Sequence, residues 1–156
     1  MEFQIQKMLR STLMKNLLSS LIIFSFSSIS HSQNFEWAKD FGGVPGLDWG
    51  HSTVTDSNGN NILTGSMRSS GDFDPGPATL TLTSAGLSDI FISKLDPNGN
   101  LIWVVRIGGT GSEQGVDIFN DTNDNIYVTG SFSGTVDFDP GVGTFYLSAG
   151  ASNNAF

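Results

Sequence analysis

The sequence predicts an all-β protein assembled from tandem repeats, and three observations carry that prediction. Asp72-Phe73-Asp74-Pro75-Gly76 returns intact 65 positions later as Asp137-Phe138-Asp139-Pro140-Gly141. The flanking text returns with it. Trp37-Ala38-Lys39-Asp40-Phe41-Gly42-Gly43 aligns with Trp103-Val104-Val105-Arg106-Ile107-Gly108-Gly109, and Ile62-Leu63-Thr64-Gly65-Ser66 aligns with Tyr127-Val128-Thr129-Gly130-Ser131. One extra residue of the first copy falls within 44–50. Third, short apolar runs alternate with clusters of Gly, Asn, Asp and Pro, the pattern of strands and turns. A repeat of this length and texture is a unit that cannot bury its faces alone and stacks on its neighbours.

The first residues stand apart from that fold. Lys7, Arg10 and Lys15 precede an apolar run over 17–29, and Ser30-His31-Ser32 supplies small residues for cleavage. This predicts a signal peptide over 1–32, cut before Gln33, and hence a secreted or cell-surface protein. Met14-Lys15-Asn16 followed by the apolar run would serve as a leader by itself. The run is shorter than the roughly 20 residues that cross a bilayer, so no membrane span is expected after cleavage. The two copies are expected over 33–88, the first and incomplete one, and 89–156, the second, cut short at its end.

Beyond residue 32 only Lys39, Arg68, Lys94 and Arg106 face fourteen carboxylates. Such a surface repels a phosphate backbone, which excludes nucleic acid as a partner. The chain has no cysteine, so disulfides and a cleavage-site lipid anchor are both excluded. Stability must come from burial or from cations, and 38% hydrophobic residues are enough to argue against a disordered chain.

In the second copy, strands are predicted over 90–95, 101–107, 116–120 and 126–132. Asp96-Pro97-Asn98-Gly99-Asn100 and Asp121-Thr122-Asn123-Asp124-Asn125 fall between them. Asn, Asp and Gly there accept positive φ and make the side-chain hydrogen bonds of tight turns. Four antiparallel strands per period is the plan of a propeller blade. The segment 135–147 reads as an extra small hairpin with Asp139-Pro140-Gly141 near its tip, which lengthens the period beyond an ordinary blade. Ile90, Ile92, Trp103, Val105, Ile118 and Val128 alternate towards a buried face, and Ser93, Lys94 and Arg106 take the other. Gly42-Gly43 and Gly108-Gly109 permit a sharp reversal and lack the helix that a phosphate loop needs.

The run from Asp89 to Trp103, the Ile107-Gly108-Gly109 that follows, and Asn125-Ile126-Tyr127-Val128-Thr129-Gly130-Ser131-Phe132 together resemble the bacterial SBBP β-propeller repeat. That resemblance implies a secreted or surface-exposed propeller of a large modular protein, particularly of Bacteroidetes type. It is specific for architecture and nearly silent on ligand. A weaker similarity, through Leu95-Asp96, Gly99 and Trp103, is to the Trp-docking motif of quinoprotein propellers. No Thr precedes Gly99, so cofactor binding is not implied.

Residues 34–40 match 100–106, while the strand expected before them falls within the predicted leader, and Phe156 aligns with Phe91. Two copies are too few for a ring of at least four blades. The expectation is an incomplete ring, the N-terminal piece of a longer protein or a truncated frame. Its open faces would be covered by further blades or by self-association.

Little chemistry is on offer. Catalysis by a nucleophile needs a base oriented by a third group, yet His51 is the only histidine beyond the leader and aligns with Val116. Transition metals lack cysteine or clustered histidine ligands. Calcium is the one possible cofactor. Asp56, Asn58 and Asn60, then Asp96, Asn98 and Asn100, then Asp121, Asn123 and Asn125 open like calcium loops. The Glu that an EF-hand requires eleven residues after the first Asp is replaced by Met67, Ile107 and Phe132. The same letters suit a hairpin turn. Asp72 with Asp74, and Asp137 with Asp139, share a strand face and either bind a cation or shape the turn above a packed Phe. A repeated pair gives no reason for the single facing carboxylate pair of a glycosidase. The expected function is a non-catalytic extracellular scaffold or binding module with a protein or glycan ligand. The alternatives are a calcium-stabilised adhesin-like module and the start of a propeller hydrolase or quinoprotein.

Overall fold

Strands and turns alone make up the described part of the protein, a computed structural model covering residues 35–43, 47–150 and 152–156. The predicted leader lies outside these residues. The strands are β1 (Trp49–Thr55), β2 (Asn61–Met67), β3 (Ser70–Asp72), β4 (Thr81–Thr83), β5 (Asp89–Leu95) and β6 (Leu101–Ile107). They continue as β7 (Gln114–Asn120), β8 (Ile126–Phe132), β9 (Thr135–Asp137), β10 (Tyr146–Ser148) and β11 (Asn154–Ala155).

β1, β2, β5 and β6 form one antiparallel sheet in that order, and β7, β8 and β11 form a second, in the order β11-β8-β7. Each is a meander of the blade type. The pairs β3–β4 and β9–β10 are separate two-stranded hairpins inserted after the second strand of each sheet. The extra hairpin expected over 135–147 is thus present, and the first copy carries its counterpart.

One expectation needs correction. The strands predicted over 90–95, 101–107, 116–120 and 126–132 do not share a sheet: β5 and β6 close the first, while β7 and β8 open the second. The four-stranded sheet draws two strands from 33–88 and two from 89–156. The reason is geometric. Turns of five residues tie β1 to β2, β5 to β6 and β7 to β8, whereas the link after β6 runs through Gly108-Gly109 and leads into the next sheet.

The two sheets repeat each other in detail. In both, the first strand bulges, between Gly50 and Ser52 in β1 and between Gly115 and Asp117 in β7. His51 and Val116 are the bulged residues, and a bulge sharpens the local twist. Opposite each bulge stands the glycine of Thr-Gly-Ser. A Cβ on Gly65 would lie 1.8 Å from Trp49 O, and one on Gly130 would lie 2.0 Å from Gln114 O.

The sheets pack face to face through Ile62, Ile90 and Ile92 of the first and Ile118 of the second, flanked by Trp103, Val105, Ile126 and Val128. All six residues expected on a buried face lie in this seam, contributed by two facing sheets. Phe91 points the other way, into a second cluster with Met67 and Phe73. There Phe41, Phe73 and Phe91 stack with centroids 5.2–5.7 Å apart. Phe132, Phe138 and Phe156 form a second trio, at 4.9–6.3 Å, in a third cluster with Val136, where Phe138 and Phe156 match Phe73 and Phe91 while Phe132 stands in the place of Met67. Each Asp-Phe-Asp-Pro-Gly hairpin is held to its sheet by its Phe.

Candidate binding surface

The turns at one end of the sheets are built by their leading aspartates. Asp56 Oδ1 accepts the amides of Asn58 and Asn60, both at 2.9 Å, and Oδ2 accepts Asn60 Nδ2 at 2.8 Å. Asp96 does the same with Asn98 and Asn100, and Asp121 with Asn123 and Asn125, all at 2.8–3.0 Å. Positive φ falls at Gly59 (81°), Gly99 (78°) and Asp124 (62°), the fourth position of each turn. Asp124 shows that aspartate tolerates a backbone ordinarily left to glycine.

These hydrogen bonds favour the ionised carboxyl. Lys94, whose ammonium lies 2.7 Å from Asp56, and then Asn60 hold Asp56 well below the usual carboxylate range. Asn100 lowers Asp96, and Asn125 lowers Asp121. The hairpin acids also accept backbone amides. Asp72 Oδ1 accepts the amides of Asp74 (3.0 Å) and Leu80 (2.9 Å), which lower its pKa, and Asp74 accepts Gly76 N at 2.8 Å. Asp137 accepts Asp139 N (3.1 Å) and Phe145 N (2.7 Å), and Asp139 accepts Gly141 N (2.7 Å). Among the described residues no group of three or more His, Asp or Glu is placed to hold a metal ion.

The turns also join one sheet to the next. Ser57 donates its amide to Asp124 Oδ1 at 3.0 Å and its hydroxyl to Oδ2, so Ser57 is the main cause of the lowered pKa of Asp124. Ser52 Oγ donates to Asp117 Oδ1 at 2.6 Å, with the same effect on Asp117. His51 Nδ1 lies 2.6 Å from Gly115 O, where the ring N–H donates. Trp37 Nε1 donates to Pro97 O at 2.9 Å, seating its indole on the turn at Gly99.

At the opposite end the reading from sequence missed a pair of residues. Asp48 and Glu113 occupy the same place in the two copies. Asp48 accepts Gly43 N and Arg68 N, both at 2.9 Å, while Glu113 accepts Gly109 N at 2.9 Å. Each clips the Gly-Gly reversal to the start of a sheet. Gly43 and Gly109 approach the hairpin backbone so closely that a Cβ would lie 2.1 Å from Ser70 O or 2.4 Å from Thr135 O. Glu113 is fully buried and its Oε1 has no hydrogen-bond partner; burial pushes its pKa up. It lies beside buried Asp89, which pairs with Arg106. The signal for the clip was an acid recurring at the repeat spacing, hidden because one copy writes Asp and the other Glu.

Among the described residues, two surfaces differ in character from the turns. A pocket of about 590 Å³ is lined by Asp40, Asp48, Asp72 and Asp74 over Phe41 and Leu47. The β9–β10 hairpin exposes Val142, Phe145 and Tyr146, where the β3–β4 hairpin carries Pro77, Leu80 and Thr81.

Stacked antiparallel meanders, repeated with their bulges, turns and clips, define an all-β protein of propeller-like blades. The comparisons agree with that class. An uncharacterised WD repeat-containing protein of Acanthamoeba polyphaga mimivirus is 35% identical over 111 residues, which cover 62% of this chain and 8% of that relative. The matched stretch is therefore a small part of a far longer protein. No family model and no solved structure matches the chain.

Proposed function

We propose that the chain is a non-catalytic scaffold and binding module of a secreted or cell-surface protein, built from blades of the bacterial SBBP type. The observation that carries this reading is the duplicated use of its reactive side chains. Asp56, Asp96 and Asp121, Asp72 and Asp137, Asp48 and Glu113 each perform the same structural task at equivalent places. An active site needs a constellation that occurs once. Location rests on the leader-like residues before Gln33.

The hairpin that differs between the copies is where ligand selectivity is placed. Val142, Phe145 and Tyr146 are exposed apolar side chains on this one hairpin, the composition of a protein or glycan contact. The test takes a variant carrying Val142→Pro, Phe145→Leu and Tyr146→Thr, which gives the second hairpin the character of the first. Wild type and variant are applied to glycan arrays and immobilised extracellular matrix proteins. The expected result is a wild-type signal lost in the variant, with melting temperature unchanged. Equal profiles would place binding elsewhere. Export is tested separately by N-terminal sequencing: a new terminus near Gln33 supports it, and an intact leader in the cytoplasm refutes it.

A further inference from the structure

We propose that the crossover 108–113, which carries the chain from the first sheet to the second, is a proton-held latch, closed while Glu113 keeps a hydrogen on Oε1 and opened by its loss. The crossover is pinned on both sides. Towards the first copy, Leu87 donates its amide to Gly111 O at 2.7 Å, Glu113 donates its own to Ser88 O at 2.8 Å, and the hydroxyls of Ser88 and Ser112 meet at 2.7 Å. Towards the second, Ser112 N donates to Ser133 Oγ at 2.8 Å, and Gly109 approaches Thr135 O at the root of the β9–β10 hairpin. Whatever moves the crossover moves the joint between the sheets and the seat of that hairpin.

Glu113 folds back beneath this segment. Its Oε2 accepts Gly109 N at 2.9 Å, while Oε1 has no hydrogen-bond partner although the residue is fully buried. Oxygens crowd its position: a Cβ placed on Gly111 would stand 2.8 Å from Glu113 Oε1, 2.5 Å from Ser133 O and against Ser133 Oγ. A carboxylate oxygen there is cut off from bulk water and has no donor, whereas a protonated one carries the hydrogen that a Ser133 oxygen can accept.

The charged groups bearing on Glu113 are Asp89 at the start of β5 and Arg106 in β6; the link between β8 and β9 presents Ser133, which does not titrate. Asp89 is itself fully buried and takes the Arg106 guanidinium together with the amides of Ala85 and Gly86. One cation serves two acids, so a second negative charge here would stand uncompensated. Burial, working against the amides of Gly109 and Ser133, pushes the Glu113 pKa up in agreement with that count. The first copy shows the alternative. Asp48, in the place of Glu113, has an N–H donor on each oxygen, from Gly43 on Oδ2 and from Arg68 on Oδ1. That clip is complete without a proton. The latch at Glu113 is therefore closed below the ordinary Glu range and opens as pH rises through the raised folded value.

Hydrogen exchange across a pH series reads the latch. The protection factors of the Leu87, Gly109 and Glu113 amides are expected to fall about tenfold per pH unit above the folded pKa, one proton leaving per opening, while those within β1, β2 and β5 hold. Glu113→Gln, which places a permanent donor where the Oε1 hydrogen was, is expected to keep all three protected throughout. Infrared difference spectra are expected to show one protonated-carboxyl band that outlasts the other acids, disappears over the same pH range and is missing from Glu113→Gln. Ser88→Cys with Ser112→Cys introduces two thiols where the hydroxyls already meet, in a chain without cysteine. Oxidised, that variant is expected to hold the Leu87 amide protected at every pH; reduced, to follow wild type. Wild-type protection that stays flat with pH, or a fall that persists in Glu113→Gln, would overturn the proposal. Should Glu113→Gln fail to fold, the wild-type band and the locked variant decide it: no late-titrating band, or a pH-driven loss at Leu87 despite the disulfide, would sink it.

Discussion

The two sheets spell the same strands 65 residues apart, yet equivalent side chains differ in what covers them. Ile62 is fully buried and Tyr127 is 57% exposed; Phe91 is buried and Phe156 only partly so. Local structure is nevertheless shared: the bulge, the Asp-led turn and the hairpin with its Phe recur unchanged. Local conformation is thus dictated by the repeat, and burial by the neighbour. This is the nearest-neighbour energetics of repeat proteins, in which intrinsic and interfacial contributions separate.

The harshest test of that separation is Gly65→Val against Gly130→Val. Both side chains would meet a backbone carbonyl, so both strands are expected to break. Gly65→Val is expected to cost about 4 kcal/mol or more and abolish cooperative unfolding, because the first sheet carries the Met67–Phe73–Phe91 cluster and supplies Ile62, Ile90 and Ile92 to the seam. Gly130→Val is expected to leave the amides of β1, β2, β5 and β6 protected in hydrogen exchange while those of β7 and β8 exchange. Equal loss everywhere would mean that the sheets are one cooperative unit.

Phe91→Ala and Phe156→Ala measure the difference in cover directly. Denaturant titration is expected to show about 3–5 kcal/mol for the buried ring and about half of that for the other. Similar costs would contradict the comparison.

The acid clips separate the copies by pH. Burial raises the pKa of Glu113, so the stabilising protonated form is complete below about 4.3, the ordinary value for Glu, and is lost as pH rises through the folded value. Melting temperature is therefore expected to fall over that window, and Glu113→Gln to remove the fall, gaining a few degrees at neutral pH. Asp56 works in the opposite sense. Its folded pKa is depressed, so its contribution is present above about 3.9 and disappears as pH drops below that. Asp56→Asn is expected to be less stable than wild type at pH 7 and to converge with it in strong acid.

The smallest expected effect is that of calcium. The Asp oxygens of each turn already accept amide hydrogens, so a chelator is expected to leave the melting temperature where it was. A calcium-dependent rise would favour the calcium-stabilised adhesin-like reading.

Strand positions and turns were legible because they rest on short-range chemistry: alternation, and Asx hydrogen bonds that close within five residues. The apolar residues of the seam were legible for the same reason, while Lys94, expected on the other face, stands opposite Trp103 on this one. Which strands share a sheet was not, since a periodic text has no intrinsic starting point. The bulges were also hidden, because His51 and Val116 have no letters in common and the requirement shows on the partner strand, at Gly65 and Gly130. Of the surfaces proposed for binding, the Asp-rich motifs were visible in the sequence. The opposed rings of Phe119 and Tyr127 were not, because the first copy has Val54 and Ile62 at those positions and the repeat gives no aromatic signal there.

Sheet boundaries and text boundaries do not coincide, and that offset bears on how such genes change. Recombination between two copies removes or adds a whole period wherever the crossover falls, so each strand in the new array inherits a partner of the right kind. Array length is then free to drift without any favoured breakpoint, while the blade itself is conserved.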